Sequence, residues 1–164
     1  MTDPYPYEVP RSLGARGAFV SPGTYSITLQ AGDARATGTV RVLADPLLEL
    51  TVAQHKERED FQLQMVDMLT EIAQMSQQLA TARRDLTARG DSAALARLTN
   101  VERSFVTGLL PVQGQINQLY GTFNGSGAQQ GSLYPPTTVM KARAREIRAT
   151  VDRVKREVAV VSRP

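Results

Sequence analysis

The run Phe61-Gln62-Leu63-Gln64-Met65-Val66-Asp67-Met68-Leu69-Thr70-Glu71-Ile72-Ala73-Gln74-Met75-Ser76-Gln77-Gln78-Leu79-Ala80-Thr81-Ala82-Arg83-Arg84-Asp85-Leu86 reads as one long amphipathic helix. Phe61, Met65, Met68, Ile72, Met75, Leu79, Ala82 and Leu86 recur at alternating steps of four and three. That is the 3.5-residue repeat by which helices seat side chains between those of a neighbour. Val66, Leu69, Ala73 and Ala80 form an adjoining stripe, so the apolar face is wide enough for two neighbours.

Both neighbours follow in the chain. After Gly90, with Asp91 or Ser92 as the next cap, the same spacing runs through Leu95, Leu98, Phe105, Leu109, Val112, Ile116, Leu119 and Phe123. Glu102 is the polar intruder, with Val101 beside it. Gly108, Pro111 and Gly114 sit mid-run, and an interior proline costs about 3 kcal/mol, so a kink is expected near residues 107–111. The apolar phase continues unchanged across them, which argues against a chain reversal. Asn124 to Leu133 is a Gly/Ser/Gln loop, expected to be mobile. After Pro135-Pro136, with Thr137 or Thr138 as cap, Met140, Ala144, Ile147, Val151, Val154, Val158 and Val161 make the third seam. Three matched seams joined by short connections predict an up-down-up three-helix bundle over residues 47–164, with helices at about 48–89, 92–123 and 137–162. Ile72, Ile116 and Val151 are expected in one shared core.

Working back from Phe61, the pattern changes. Residues 1–46 hold five of the nine prolines and five of the twelve glycines. Thr24-Tyr25-Ser26-Ile27-Thr28-Leu29-Gln30 alternates strictly, with Tyr25, Ile27 and Leu29 on one face. Ala31-Gly32-Asp33 turns the chain, and Ala34 to Leu43 sets Val40 and Val42 against Thr37, Thr39 and Arg41. This predicts an antiparallel hairpin, ended by Asp45-Pro46. Two strands are marginal on their own. The face Tyr25, Ile27, Leu29, Val40 and Val42 therefore calls for a cover: first the start of the first helix near Leu48 to Val52, otherwise a second copy through the strand edge, or a neighbouring domain. The fold class is mostly α, a short antiparallel β-segment followed by the bundle.

Composition removes several chemistries. The 164 residues contain no cysteine, which excludes disulfides, thiol catalysis and cysteine-bearing zinc sites. No apolar run approaches the ~20 residues of a membrane span, and Met1-Thr2-Asp3-Pro4-Tyr5-Pro6 lacks a signal-peptide pattern. The single histidine, His55, has Glu59 at i+4, which is half a metal site, and a solvated or β-contacting histidine is the expected reading. Glu57, Glu59 and Asp60 could suggest paired glycosidase acids, but Lys56 and Arg58 make the stretch a charge-mixed helix surface. With one histidine and no nucleophile elbow a catalytic triad has no basis, and neither glycine-bearing loop follows the phosphate-binding pattern. Met65, Met68, Met75 and Met140 lie on the seams, where methionine fills core space.

The net charge of +3 is uneven: from Thr137 onward eight Lys/Arg face three Asp/Glu. Arg143, Arg145, Arg148, Arg153, Lys155 and Arg156 make the third helix basic, and Arg145, Arg148 and Lys155 are the candidate contacts for an acidic partner. No aromatic residue is interleaved for base stacking, so nucleic acid is not the expected partner.

Two stretches carry a family likeness. Phe19-Val20-Ser21-Pro22-Gly23-Thr24-Tyr25-Ser26-Ile27-Thr28-Leu29 and Val40-Arg41-Val42-Leu43-Ala44-Asp45-Pro46 resemble the end of the immunoglobulin-like module in bacterial sortilin-like, BNR-repeat β-propeller proteins. In that family a helical tail follows, with a pattern similar to Gln115-Ile116-Asn117-Gln118-Leu119-Tyr120-Gly121. The resemblance implies a non-catalytic C-terminal accessory region, exported with its parent, or a shortened relative of one, with a neighbouring propeller domain or a second copy through the strand edge as partner. Such parents are often labelled glycosyl hydrolases, but the propeller's Asp-box, which ends in Trp, has no counterpart in a chain without Trp. The earlier strands of the module are likewise without counterpart, Tyr5 to Leu13 being a poor substitute. Two alternatives stay open: part of a hydrolase whose catalytic propeller lies elsewhere, and a small basic nucleic-acid-binding bundle. No cofactor is expected.

Overall fold

The computed structural model describes residues 18–125 and 131–161. The sequence places Tyr5 to Leu13 and the middle of the Asn124–Leu133 loop outside those residues. The element order is β1 (Gly23–Ala31), β2 (Ala34–Val42), α1 (Val52–Arg89), α2 (Ser92–Asn124) and α3 (Thr138–Val161). A two-stranded antiparallel sheet thus precedes a three-helix bundle, as the alternating and 3.5-residue patterns require.

Each helix end has an identifiable cause. Thr51 Oγ1 accepts the Gln54 backbone N–H while Gln54 Oε1 accepts the Thr51 N–H, a reciprocal capping box that starts α1. That box sets the start at Val52, four residues later than the apolar pattern suggested. Gly90 at φ 68° closes α1, its N–H donating to the Leu86 and Thr87 carbonyls. Asp91 Oδ1 then accepts the Ala94 N–H, 2.9 Å, as N-cap of α2. Thr137 caps α3, its Oγ1 accepting the Met140 N–H.

The three seams meet in one core. Met65, Met68, Leu98, Leu109, Ile116, Val151, Val154 and Val158 are fully enclosed, and Ile72 joins Ile116 and Val151 as expected. The second stripe of α1 is buried only at Val66 and Leu69. Ala73 and Ala80 are exposed, because α3 and α2 already cover the main seam at that level and alanine has little area to bury. Tyr120 adds a core position outside the repeat.

α2 runs as one helix through Pro111, without a reversal. Leu109 and Val112 are buried on either side of the proline, and that packing offsets the lost hydrogen bond. Gly108 has a separate use. A β-carbon there would lie 3.3 Å from Arg153 Nη2 and 3.5 Å from Val154 Cγ2, so glycine lets α3 approach closely.

The α2–α3 connection is tied down at its described ends. The Ser132 N–H donates to the Thr122 carbonyl at 2.8 Å, and Pro136 is buried. Gly131 lies so close to the end of α2 that a β-carbon would sit 1.7 Å from the Phe123 carbonyl oxygen. Gly131→Ala should force that return off the helix and cost ~1–3 kcal/mol, as added bulk in a filled space does. Thermal unfolding checks it; an unchanged Tm would mean the close approach is not needed.

Candidate functional site

The hairpin and the seat beneath it form the candidate site. Gly23 pairs with Val42, Tyr25 with Val40, Ile27 with Gly38 and Leu29 with Ala36. Residues directly opposite share a face, so this register brings Tyr25, Ile27, Leu29, Val40 and Val42 together on one side, as the alternation required. Thr24, Ser26, Thr28 and Gln30 share the other side with Arg41, Thr39, Thr37 and Arg35. The loop is two residues, Gly32-Asp33, and only Gly32 has positive φ (59°), the pattern of a type II′ turn.

Among the described residues most of the apolar face has no cover. Ile27 is 54% exposed, Leu29 68% and Val40 41%, with Tyr25 and Val42 partly shielded. This corrects the expected packing against Leu48 to Val52: Val52 itself is exposed, and the strands extend away from the bundle. The nine-residue strands span ~30 Å, and the hydrogen bonds to α1 come from Phe19 and Ser21, just ahead of β1. Of the fourteen large hydrophobic side chains exposed among the described residues, eight lie between Phe19 and Val52, so the apolar surface is concentrated here.

The near end is seated by a polar layer. Ser21 Oγ donates to Glu59 Oε2 at 2.7 Å, and the Phe19 N–H donates to Gln62 Oε1 at 3.4 Å. Tyr25 Oη donates to the Ser21 carbonyl at 2.6 Å, tying strand β1 to the same anchor. The Arg58 guanidinium lies 5.9 Å from the centre of the Phe19 ring, within cation–π range, and Nη1 donates to the Leu133 carbonyl. Burial pushes the Arg58 pKa below its usual value, against the pull of Glu59.

This layer was missed as a buried surface. His55, Arg58 and Gln62 are all nearly inaccessible, where the charge-mixed stretch suggested a solvated Arg58 and a solvated or β-contacting His55. The signal existed: stepping back three from Phe61 and then three again from Arg58 lands on Arg58 and His55. At Gln62 and Arg58 the cover supplies backbone groups, the Phe19 N–H and the Leu133 carbonyl. Among the described residues neither ring nitrogen of His55 has a hydrogen-bond partner. Glu59 faces Ser21, and Glu57 pairs with Lys141 and Asp60 with Lys56, so the three acids serve separate contacts. Among the described residues no group of three or more His, Asp or Glu is placed to hold a metal ion. No helix among them is long and apolar enough to cross a membrane.

The basic candidates on α3 lie elsewhere and act differently. Arg148 makes a two-pronged contact with Glu71 on α1, Nη1 to Oε1 and Nη2 to Oε2 both at 2.8 Å, and also bonds Asp152. Lys155 Nζ reaches Glu71 Oε2 at 3.0 Å. These contacts hold the Glu71 carboxyl down at about 2, the Arg148 hydrogen bonds being the larger cause. Arg148 and Lys155 thus fasten α3 to α1, while Arg145 is exposed and forms no ion pair among the described residues. Arg143 and Arg153 are paired in turn with Glu146 and Glu157. No protein-family model, curated protein or solved structure matches the chain.

Proposed function

We propose that this chain is a non-catalytic structural and interaction module, in which the bundle is the support and the hairpin is the contact element for a protein partner. One observation carries the reading: a regular, two-sided hairpin is anchored at one end while Ile27, Leu29 and Val40 of its apolar face stay exposed. Burying a side chain such as Ile27 or Leu29 is worth ~1.5–3 kcal/mol, so a partner that covers this face gains substantially. The likeness of the Ser21-Pro22-Gly23-Thr24-Tyr25 hairpin to the sortilin-like propeller proteins adds a candidate: a neighbouring β-rich domain of an exported protein. The basic-bundle alternative is weakened by the acids already paired with Arg143, Arg148, Arg153 and Lys155, which leave less free charge for phosphates.

Photo-crosslinking in the producing cells tests this. A benzophenone side chain replaces Leu29 in one variant and the equally exposed Val160, on the bundle, in another. The expected result is a crosslink from position 29 to a β-strand segment, in another polypeptide or another copy, that position 160 does not give. Crosslinks from position 29 confined to α1–α3, or the same products from both positions, would overturn the reading.

A further inference from the structure

Among the described residues both edges of the hairpin are unpaired, and they are not equivalent. Strand β1, Gly23-Thr24-Tyr25-Ser26-Ile27-Thr28-Leu29-Gln30-Ala31, has no charged residue and no proline along nine residues. Strand β2 carries Arg35 near one end and Arg41 near the other. Charged side chains, proline and bulges are what keep an exposed strand edge from pairing with another chain. β2 has such guards and β1 has none.

Two-fold symmetry sharpens the difference. Antiparallel pairing of β2 with a second β2 over its full length puts Gly38 on the axis and sets Arg35 opposite Arg41 of the other copy, twice. Like charges directly opposite destabilise a strand pair. The same operation on β1 puts Ile27 on the axis, with Tyr25 opposite Leu29, Ser26 opposite Thr28 and Thr24 opposite Gln30. Apolar meets apolar and polar meets polar, because a register centred on a residue keeps each face on its own side. β1 is therefore self-complementary.

Resting on the reading of the hairpin as the contact element, we infer that β1 is a strand-accepting edge and that a second copy of this chain occupies it. The product is a four-stranded antiparallel sheet in the order β2-β1-β1-β2, with the bundles at its two ends. Tyr25, Ile27 and Leu29 of the two copies become cross-strand neighbours. Four strands also exceed the two-stranded limit below which a hairpin is marginal.

Sedimentation of the full chain over a range of concentrations tests this, with hydrogen exchange at β1. The expected mass rises from 17.9 kDa to twice that, and alternate β1 amides, outward-facing in one copy, gain protection with association. S26K/T28K places like charges opposite each other across the axis and should leave a single-copy mass with unchanged helical unfolding. T37K/T39K puts the same charges on β2, away from the axis, and should retain association. A wild-type chain that stays at 17.9 kDa with freely exchanging β1 amides overturns the second-copy assignment, while position-29 crosslinking still judges the contact-element reading separately. Association of S26K/T28K equal to wild type overturns the choice of edge.

Discussion

Phe123→Ala should be the most damaging single truncation in the chain, lowering stability by ~3–5 kcal/mol through the cavity it leaves. Phe123 is almost wholly buried and is the largest of the fully enclosed side chains. Its ring meets Phe61 edge-on, centroids 5.6 Å apart at 64°, a geometry worth about 0.5–1.5 kcal/mol beyond area burial. It also ends α2 where the chain returns across Gly131 and Ser132, so little can collapse into the gap without moving that return. Against a typical total of ~5–15 kcal/mol the loss is a large fraction. Urea unfolding followed by helical circular dichroism should show a lower midpoint with an unchanged slope. A midpoint within error of wild type would mean the aromatic pair is not enclosed as described.

The second large effect is an acid limb that depends on Glu71. Its carboxyl titrates at about 2 in the folded chain against an ordinary value of 4.5. A carboxylate depressed by folding contributes stability that is complete above the unfolded value and is lost as pH falls toward the folded one. The relevant window is therefore between 4.5 and about 2. The full shift would correspond to ~3 kcal/mol at neutral pH, a ceiling for a pair that still touches solvent. Asp67 acts in the opposite sense: burial first, then Glu71, raises its pKa, so its protonation on acidification relieves part of the loss. Glu71→Gln should lower stability at pH 7, leave Arg148 with Asp152 alone, and flatten the difference between pH 7 and pH 3. A Glu71→Gln chain with the wild-type acid profile would show that the α1–α3 clamp contributes nothing.

The bundle was legible in the sequence because its cause is periodic. Phe61 to Leu86, Leu95 to Phe123 and Met140 to Val161 each repeat every 3.5 residues, and a repeat that long has no other way to bury its apolar positions. Gly90 with Asp91 marked the α1–α2 reversal by local backbone chemistry. The alternation in Tyr25, Ile27 and Leu29, together with a glycine-containing turn, marked the strands and the apolar face of the hairpin, while the register, with Ala31 paired to Ala34 rather than in the turn, came from the structure.

Three features could not be read this way, for one reason: they depend on what lies across from a side chain. Arg148 and Lys155 read as a basic surface because a sequence shows charge but not partner, and Glu71 stands 77 residues from Arg148. Arg58 read as part of a charge-mixed surface, because nothing in its neighbourhood along the chain shows that the Leu133 carbonyl and the Phe19 ring lie across from it. Tyr25, Ile27, Leu29, Val40 and Val42 were recognisable as an apolar face, yet whether the bundle would shield it was a matter of geometry. Local patterns specify which positions want burial, since periodicity and turn chemistry act within a few residues. Which of them obtain it depends on the tertiary arrangement: here the seams and the Glu71 ion pairs between helices are satisfied, while strands anchored at one end leave Ile27, Leu29 and Val40 exposed.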